Sequence, residues 1–86
     1  MDTNKLNFRH LYYFWVVAKK GSITRAAEQL DVAVQTISAQ LGLLEQSVGK
    51  SLFAPHGRRL VLTEAGRIAL AHADQIFQIG ERMLDT

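Results

Sequence analysis

A chain of 86 residues, 48% hydrophobic and 21% charged, is enough for one domain, which at this size buries only about 60 to 65% of the surface its unfolded form exposes. The absence of cysteine excludes a disulfide framework and a thiolate metal site and fits a reducing cytoplasm; the longest apolar run, Leu11 to Ala18, is far short of the ~20 residues that cross a bilayer, and no signal peptide is recognisable. The net charge of +2 is unevenly placed: up to Arg67 nine Lys or Arg stand against five Asp or Glu, whereas residues 68–86 hold one Arg against three acids, so the first part of the chain suits phosphate and the tail does not.

The first helix is expected to begin at Asn7, a good N-cap, with Leu6 and Leu11 as a hydrophobic staple and Gly21 as the left-handed stop. Lys19 and Lys20 complement its negative end. Because Leu11 to Ala18 is apolar or aromatic on every side, this helix reads as a central pillar covered from several directions. Its aromatic residues Tyr12, Tyr13, Phe14 and Trp15 are then packing residues and not a base-stacking surface.

Residues 22–45 read as two helices joined by a short turn. Ser22 caps the first, which stops near Asp31 and carries an apolar face of Ile23, Ala26, Ala27 and Leu30, with the two alanines small enough for another helix to cross closely. The second starts near Ala33 or Val34 and runs to Val48, with Gly49 closing it. Spacing assigns Val34, Ile37, Leu41 and Leu44 to its inner face and leaves Gln35, Thr36, Ser38 and Ala39 outward. That outward set has the chemistry for base edges: Gln pairs bidentately with adenine, Ser and Thr donate or accept, and a Thr or Ala methyl fits the thymine methyl. The plainer alternative is a capped and solvated helix start.

From Leu52 to Leu62, short apolar pieces flank a Pro-His-Gly-Arg tip and predict a two-stranded hairpin, the wing of a winged helix-turn-helix. Thr63 then caps a last helix, complemented by Glu64, that continues to about Leu84, some 20 residues or roughly 30 Å. Two stripes step along it by threes and fours: Leu62, Ala65, Ala69, His72, Ile76, Ile79 and Met83, and beside them Gly66, Leu70, Ala73, Phe77, Gly80 and Leu84. One stripe is enough to dock the helix on its own domain, so the other leaves a face that water should not see, covered by a second copy or, if Ala65, Ala69 and Gly66 merely pack on the first helix, by a further domain.

Ser22, Ala26-Ala27, Leu30, Val32, Ile37-Ser38, Gln40, Leu44-Glu45, Gly49, Leu52-Phe53, Arg58 and the run Leu62-Thr63-Glu64-Ala65-Gly66 follow in order the pattern of the LysR-type transcriptional regulators, which the sequence resembles over nearly its whole length. Leu11 to Trp15 and Gln35 to Ser38 look most like the NhaR-like subgroup, whose members resemble sodium-responsive activators of antiporter genes. The resemblance implies a mainly α fold, a winged helix-turn-helix of three helices and a two-stranded wing over residues 1–62, followed by a linker and dimerisation helix over 63–86. It implies sequence-specific binding of double-stranded DNA by a cytoplasmic homodimer, without a cofactor, a metal or a membrane. Gln35, Thr36 and Ser38 are expected on base edges in the major groove and Arg58 in the minor groove, with Thr24, Arg25, Gln40 and Arg59 on the backbone and Ala69, His72, Ile76, Ile79 and Met83 at the dimer seam. An effector ligand is expected only for a following two-lobed α/β domain, for which this chain has no residues, so the sequence reads as a fragment.

Four features depart from the family pattern: Val34-Gln35 replaces the usual Gln-Pro pair, Ala39 and Gly42 each replace a frequent arginine, and Pro55 replaces the common wing arginine. Base preference is expected to differ accordingly and affinity to be modest. Many relatives also carry a capping Ser where this chain has Ala33. Catalysis is not expected, because His10, His56 and His72 lie on three different elements and neither a nucleophile elbow nor a phosphate loop is present. The remaining rival is a helical dimerisation or protein-docking module, which has no need of Gly57-Arg58-Arg59 beside a polar helix.

Overall fold

The computed structural model describes residues 6–57 and 59–85. It holds α1 (Phe8–Lys20), α2 (Ile23–Leu30), α3 (Val34–Val48), the strands β1 (Phe53–His56) and β2 (Arg59–Leu62), and the long α4 (Glu64–Asp85). Local chemistry sets most of these boundaries. The Asn7 side chain accepts from the N–H groups of Arg9 and His10 at 2.9 and 3.2 Å, and Gly21, at φ 70°, closes α1 by donating to the Val17 carbonyl. Ser22 accepts from the Arg25 N–H at 3.2 Å and starts α2 at once.

α2 ends on Asp31 in the left-handed region, φ 56°, where glycine is usual. The Val32 N–H reaches back to the Ala27 carbonyl at 3.1 Å and the Asp31 N–H to Glu28, so the helix closes in the doubly bonded left-handed manner and turns sharply into α3. α3 lacks the corresponding start: Ala33 has extended dihedrals suited to a cap but no side-chain oxygen to offer.

α1 is the pillar that the sequence indicated. Leu11, Phe14, Val16 and Val17 are buried, and they meet Ala26 and Ala27 of α2, Ile37, Leu41 and Leu44 of α3, Leu52, and Ala73 of α4 in one core. The aromatic residues pack as expected. Tyr12 and Trp15 meet Phe77 of α4 at ring separations of 5.3 and 5.1 Å, and Phe14 meets Phe53 at 5.3 Å, seating the base of the hairpin on the core.

The strands pair antiparallel from Phe53 with Leu62 to His56 with Arg59. The tip is therefore shorter than the Pro-His-Gly-Arg run. Pro55 and His56 lie within β1, and Gly57, at φ 64°, follows with a conformation that a tight hairpin needs. Pro55 is tolerated because each strand of a two-stranded ribbon has an open edge.

α4 is bound to the rest at two levels. At its start, Thr63 accepts from the Gly66 N–H at 3.0 Å and donates to the Ser51 carbonyl at 2.6 Å, while its own N–H reaches Leu52 O at 3.0 Å. A Cβ on Gly66 would collide with the Leu52 carbonyl and come within 2.9 Å of Leu62 Cδ2. Two turns further on, Asp74 accepts from Trp15 Nε1 at 2.7 Å and pairs with Lys19 at 2.8 Å. The hydrogen bond from Lys19, and next that from Trp15, hold the Asp74 carboxyl below its ordinary pKa.

Two stability measurements follow. Gly66→Ala puts a methyl against backbone that cannot yield, and is expected to lower stability by about 1 to 3 kcal/mol in urea unfolding followed by circular dichroism. Ala33→Ser supplies the missing cap of α3 and is expected to raise stability by about 1 kcal/mol in the same experiment.

Candidate nucleic-acid interface

α2 and α3, joined by the turn at Asp31–Ala33, present one polar surface. On α3 the side chains of Gln35, Thr36, Ser38 and Ala39 are exposed, as their spacing implied, while Ile37, Leu41 and Leu44 are buried beneath them. Val34 departs from its expected inner place and is 40% exposed. It is the first residue of α3, one turn ahead of Ile37, where the burial of the helix begins.

Only one residue of α3, Glu45, carries a charge, and it is not directed at an outside ligand. Its Oε2 accepts from the N–H of Leu52 at 2.7 Å and of Phe53 at 3.4 Å, tying the last turn of α3 to the start of β1. The outer face of α3 is thus neutral, and small as well: a Cβ on Gly42 would meet nothing within 4 Å. Exposed cations flank it instead, with Arg25 on α2, Lys50 just past α3 and Arg59 on β2.

Thr24 and Arg25 lie exposed in the first turn of α2, beside α3. Gln40 is half-buried, and its Oε1 is shielded from solvent with no hydrogen-bond partner among the described residues. What that side chain retains for an outside partner is its amide N–H₂ end, a donor. Arg59 is exposed at the wing tip opposite His56. Arg58, expected at the same tip, lies outside the described residues.

On α4 the two stripes separate only in part, since Leu62 and Ala65 of the first also pack against the core and Leu84 of the second is 85% exposed. Gly66, Leu70, Ala73 and Phe77 face the core, whereas His72, Ile76, Ile79 and Met83 are exposed, Ile79 by 62% and Met83 by 73%. Ala69, placed with the exposed set by spacing, is half-buried against the core instead, because it borders Ala73 and Leu70 on the docked side. Ile68, in neither stripe, adds to the open apolar face.

Sequence reasoning missed three structural contributors: the Glu45 carboxylate, the close approach at Gly66, and the bond between Trp15 and Asp74. No helix among the described residues is long and apolar enough to cross a membrane, and no cluster of His, Cys, Asp or Glu among them could hold a metal ion.

This arrangement recurs in known proteins. Over 85 residues the chain is 41% identical to the transcriptional activator protein NhaR of Escherichia coli (strain K12), an alignment that covers 99% of this chain and 28% of NhaR, so the chain spans little more than a quarter of that relative. The structure superposes with a TM-score of 0.85 and 29% identity on the BenM DNA-binding domain in its complex with catB site 1 DNA, covering 93% of this chain and 90% of that one. With the CbnR DNA-binding domain in its DNA complex the TM-score is 0.82 and the identity 35%, over 93% and 92% of the two chains. The family model described as bacterial regulatory helix-turn-helix protein, lysR family, matches residues 8–67, the span from the first residue of α1 to the first turn of α4, and the chain belongs to that family.

Proposed function

We propose that this chain is the DNA-reading part of a transcriptional regulator, which inserts α3 into the major groove of double-stranded DNA, lays the β1–β2 wing along the minor groove, and works as a dimer through α4. The observation that carries the reading is the exposed neutral strip of Gln35, Thr36 and Ser38 on a fold that superposes, over nine-tenths of their length, on the DNA-bound domains of BenM and CbnR. Residues 1–62 form the reading head and residues 63–86 the linker.

In this reading Gln35, Thr36 and Ser38 touch base edges, and the flanking groups hold the phosphates: Thr24 and Arg25 from α2, the outward amide of Gln40, and Arg59 from the wing. Arg58 enters the minor groove, most favourably where A·T-rich sequence narrows it. A neutral reading helix between cations suits this division, since charge provides grip without sequence and short polar groups provide sequence without much grip. No step needs a catalyst or a cofactor, and the natural setting is the cytoplasm, where a bacterial chromosome lies. The effector that such a regulator answers to would bind outside these 86 residues.

The dimer rests on the open face of His72, Ile76, Ile79 and Met83, with Ala69 at its margin. A contiguous apolar face on a helix that already has its docked side is the pattern of a helix with two partners. Two-fold pairing would place the heads on half-sites separated by about one helical turn or a multiple of it.

Two tests separate the parts of this proposal. On duplexes enriched by selection from a random library, Gln35→Ala is expected to cost about 1 to 3 kcal/mol and to relax preference at one base pair, measured by fluorescence anisotropy. Equal weakening on enriched and random duplexes would make Gln35 a backbone contact. For the seam, Ile76→Glu is expected to convert a dimer to a monomer in sedimentation equilibrium, because a charge buried without a partner costs several kcal/mol. A monomeric parent chain at high micromolar concentration would remove the dimer.

A further inference from the structure

α4 lies along the core through Ala69, Leu70, Ala73 and Phe77, and within that packed face polar or close backbone contacts fix it at two levels. The first is its amino-terminal turn, where Gly66 lies against the Leu52 carbonyl and Thr63 is bonded to Ser51, Leu52 and Gly66. The second is Asp74, eight residues or about 12 Å further along, with Phe77 one turn beyond it. At that level the Asp74 carboxylate accepts from Trp15 Nε1 at 2.7 Å and pairs with Lys19 at 2.8 Å, while Phe77 packs on Trp15 and Tyr12.

The two attachments differ in kind. The first is steric and backbone-mediated, and it fixes where α4 begins. The second is chemical and directional, because a single carboxylate oxygen is shared between an indole N–H and an ammonium that both belong to α1. Apolar contacts such as that of Phe77 tolerate sliding; a short charge-assisted hydrogen bond from a fixed indole does not. Past Gly80 every described residue of α4 is exposed, so this end projects beyond the head as a lever whose direction the second attachment sets.

We propose that Asp74 is a positioning residue: by holding Trp15 and Lys19 it fixes the angle at which α4 leaves the reading head, and so sets the separation of the two half-sites that a dimer reads. The inference rests on the dimer proposed above and adds to it the source of its spacing. A small rotation of α4 about its first attachment would be transmitted to the partner's head through the seam and magnified by the length of the lever. The contacts of Asp74 are to α1, and none of its bonds among the described residues is to α2, α3 or the wing. Affinity for one half-site and preference among spacings are therefore separate quantities, and Asp74 acts on the second.

The test is selection of 40-base-pair duplexes from a random library by the 86-residue chain, by Asp74→Ala and by Trp15→Phe, followed by sequencing. Alanine preserves helix propensity in α4, and phenylalanine keeps a ring on Phe77 while removing the indole donor. The parent chain is expected to enrich paired half-sites at one dominant spacing. Both variants are expected to enrich the same half-site, to bind a single half-site duplex within about twofold of the parent, and to lose roughly three- to tenfold of the discrimination between the dominant spacing and its neighbours. Retention of the parent's sharp spacing by both variants overturns the role of Asp74 and leaves the dimer standing. Enrichment of isolated half-sites by the parent chain overturns the dimer, and this inference with it.

Discussion

The absence of a side chain at Gly66 lets the backbone of α4 rest directly on the carbonyl of Leu52, and three parts of the molecule are fixed relative to one another by that approach. Leu52 is also the residue whose N–H is held by the Glu45 carboxylate at the end of α3, and whose carbonyl receives the Thr63 N–H at the end of the hairpin. The chain thus leaves α3, runs out along β1, returns along β2 and enters α4 within one small knot of hydrogen bonds. The bond to the carboxylate is of the stronger, charge-assisted type, worth about 1.5 to 3 kcal/mol. Direction of the reading helix, root of the wing and origin of the linker are consequently one geometrical decision.

Much of the fold was legible because its boundaries are written in neighbouring residues. Asn7, Gly21, Ser22, Gly49 and Thr63 each act on backbone groups within a few positions, and even Asp31 could be identified as a stop from its tolerance of turn conformations. The outward face of α3 was legible too, since a period of 3.6 residues needs no knowledge of what lies beneath. What stayed hidden is decided at a distance. Trp15 and Asp74 are 59 positions apart, and no local pattern marks either as the other's partner. Glu45 and Gly66 were visible only as members of a family pattern; their reason, a carboxylate for two strand N–H groups and a clearance for a carbonyl, requires the coordinates. The register of the hairpin was likewise lost, since Pro55 looked like a tip residue and is paired with Leu60 instead.

α4 serves two surfaces with one helix. The side carrying Gly66, Leu70, Ala73 and Phe77 closes the core, and without it the aromatic cluster on α1 would face water. The opposite side, from Ile68 through Ile76 and Ile79 to Met83, is exposed among the described residues. A chain of this length has little apolar surface to spare for solvent. Under the proposed dimer, joining heads through such a helix would couple assembly to folding: a change on the docked side would alter the stability of one head, and a change on the open side would alter how many heads act together.

The neutrality of α3 bears on how such a molecule would change over generations. Its single carboxylate is committed to the strand, and the cations are on α2, the loop after α3 and the wing. Under the proposed reading, the speed of encounter with DNA and the ease of sliding along it are governed by those cations, whereas the stopping point is governed by Gln35, Thr36 and Ser38. Substitutions on the outer face of α3 can then redirect the protein to another operator while leaving its search kinetics and salt response nearly as they were, an arrangement in which retargeting takes few mutations and disturbs nothing else.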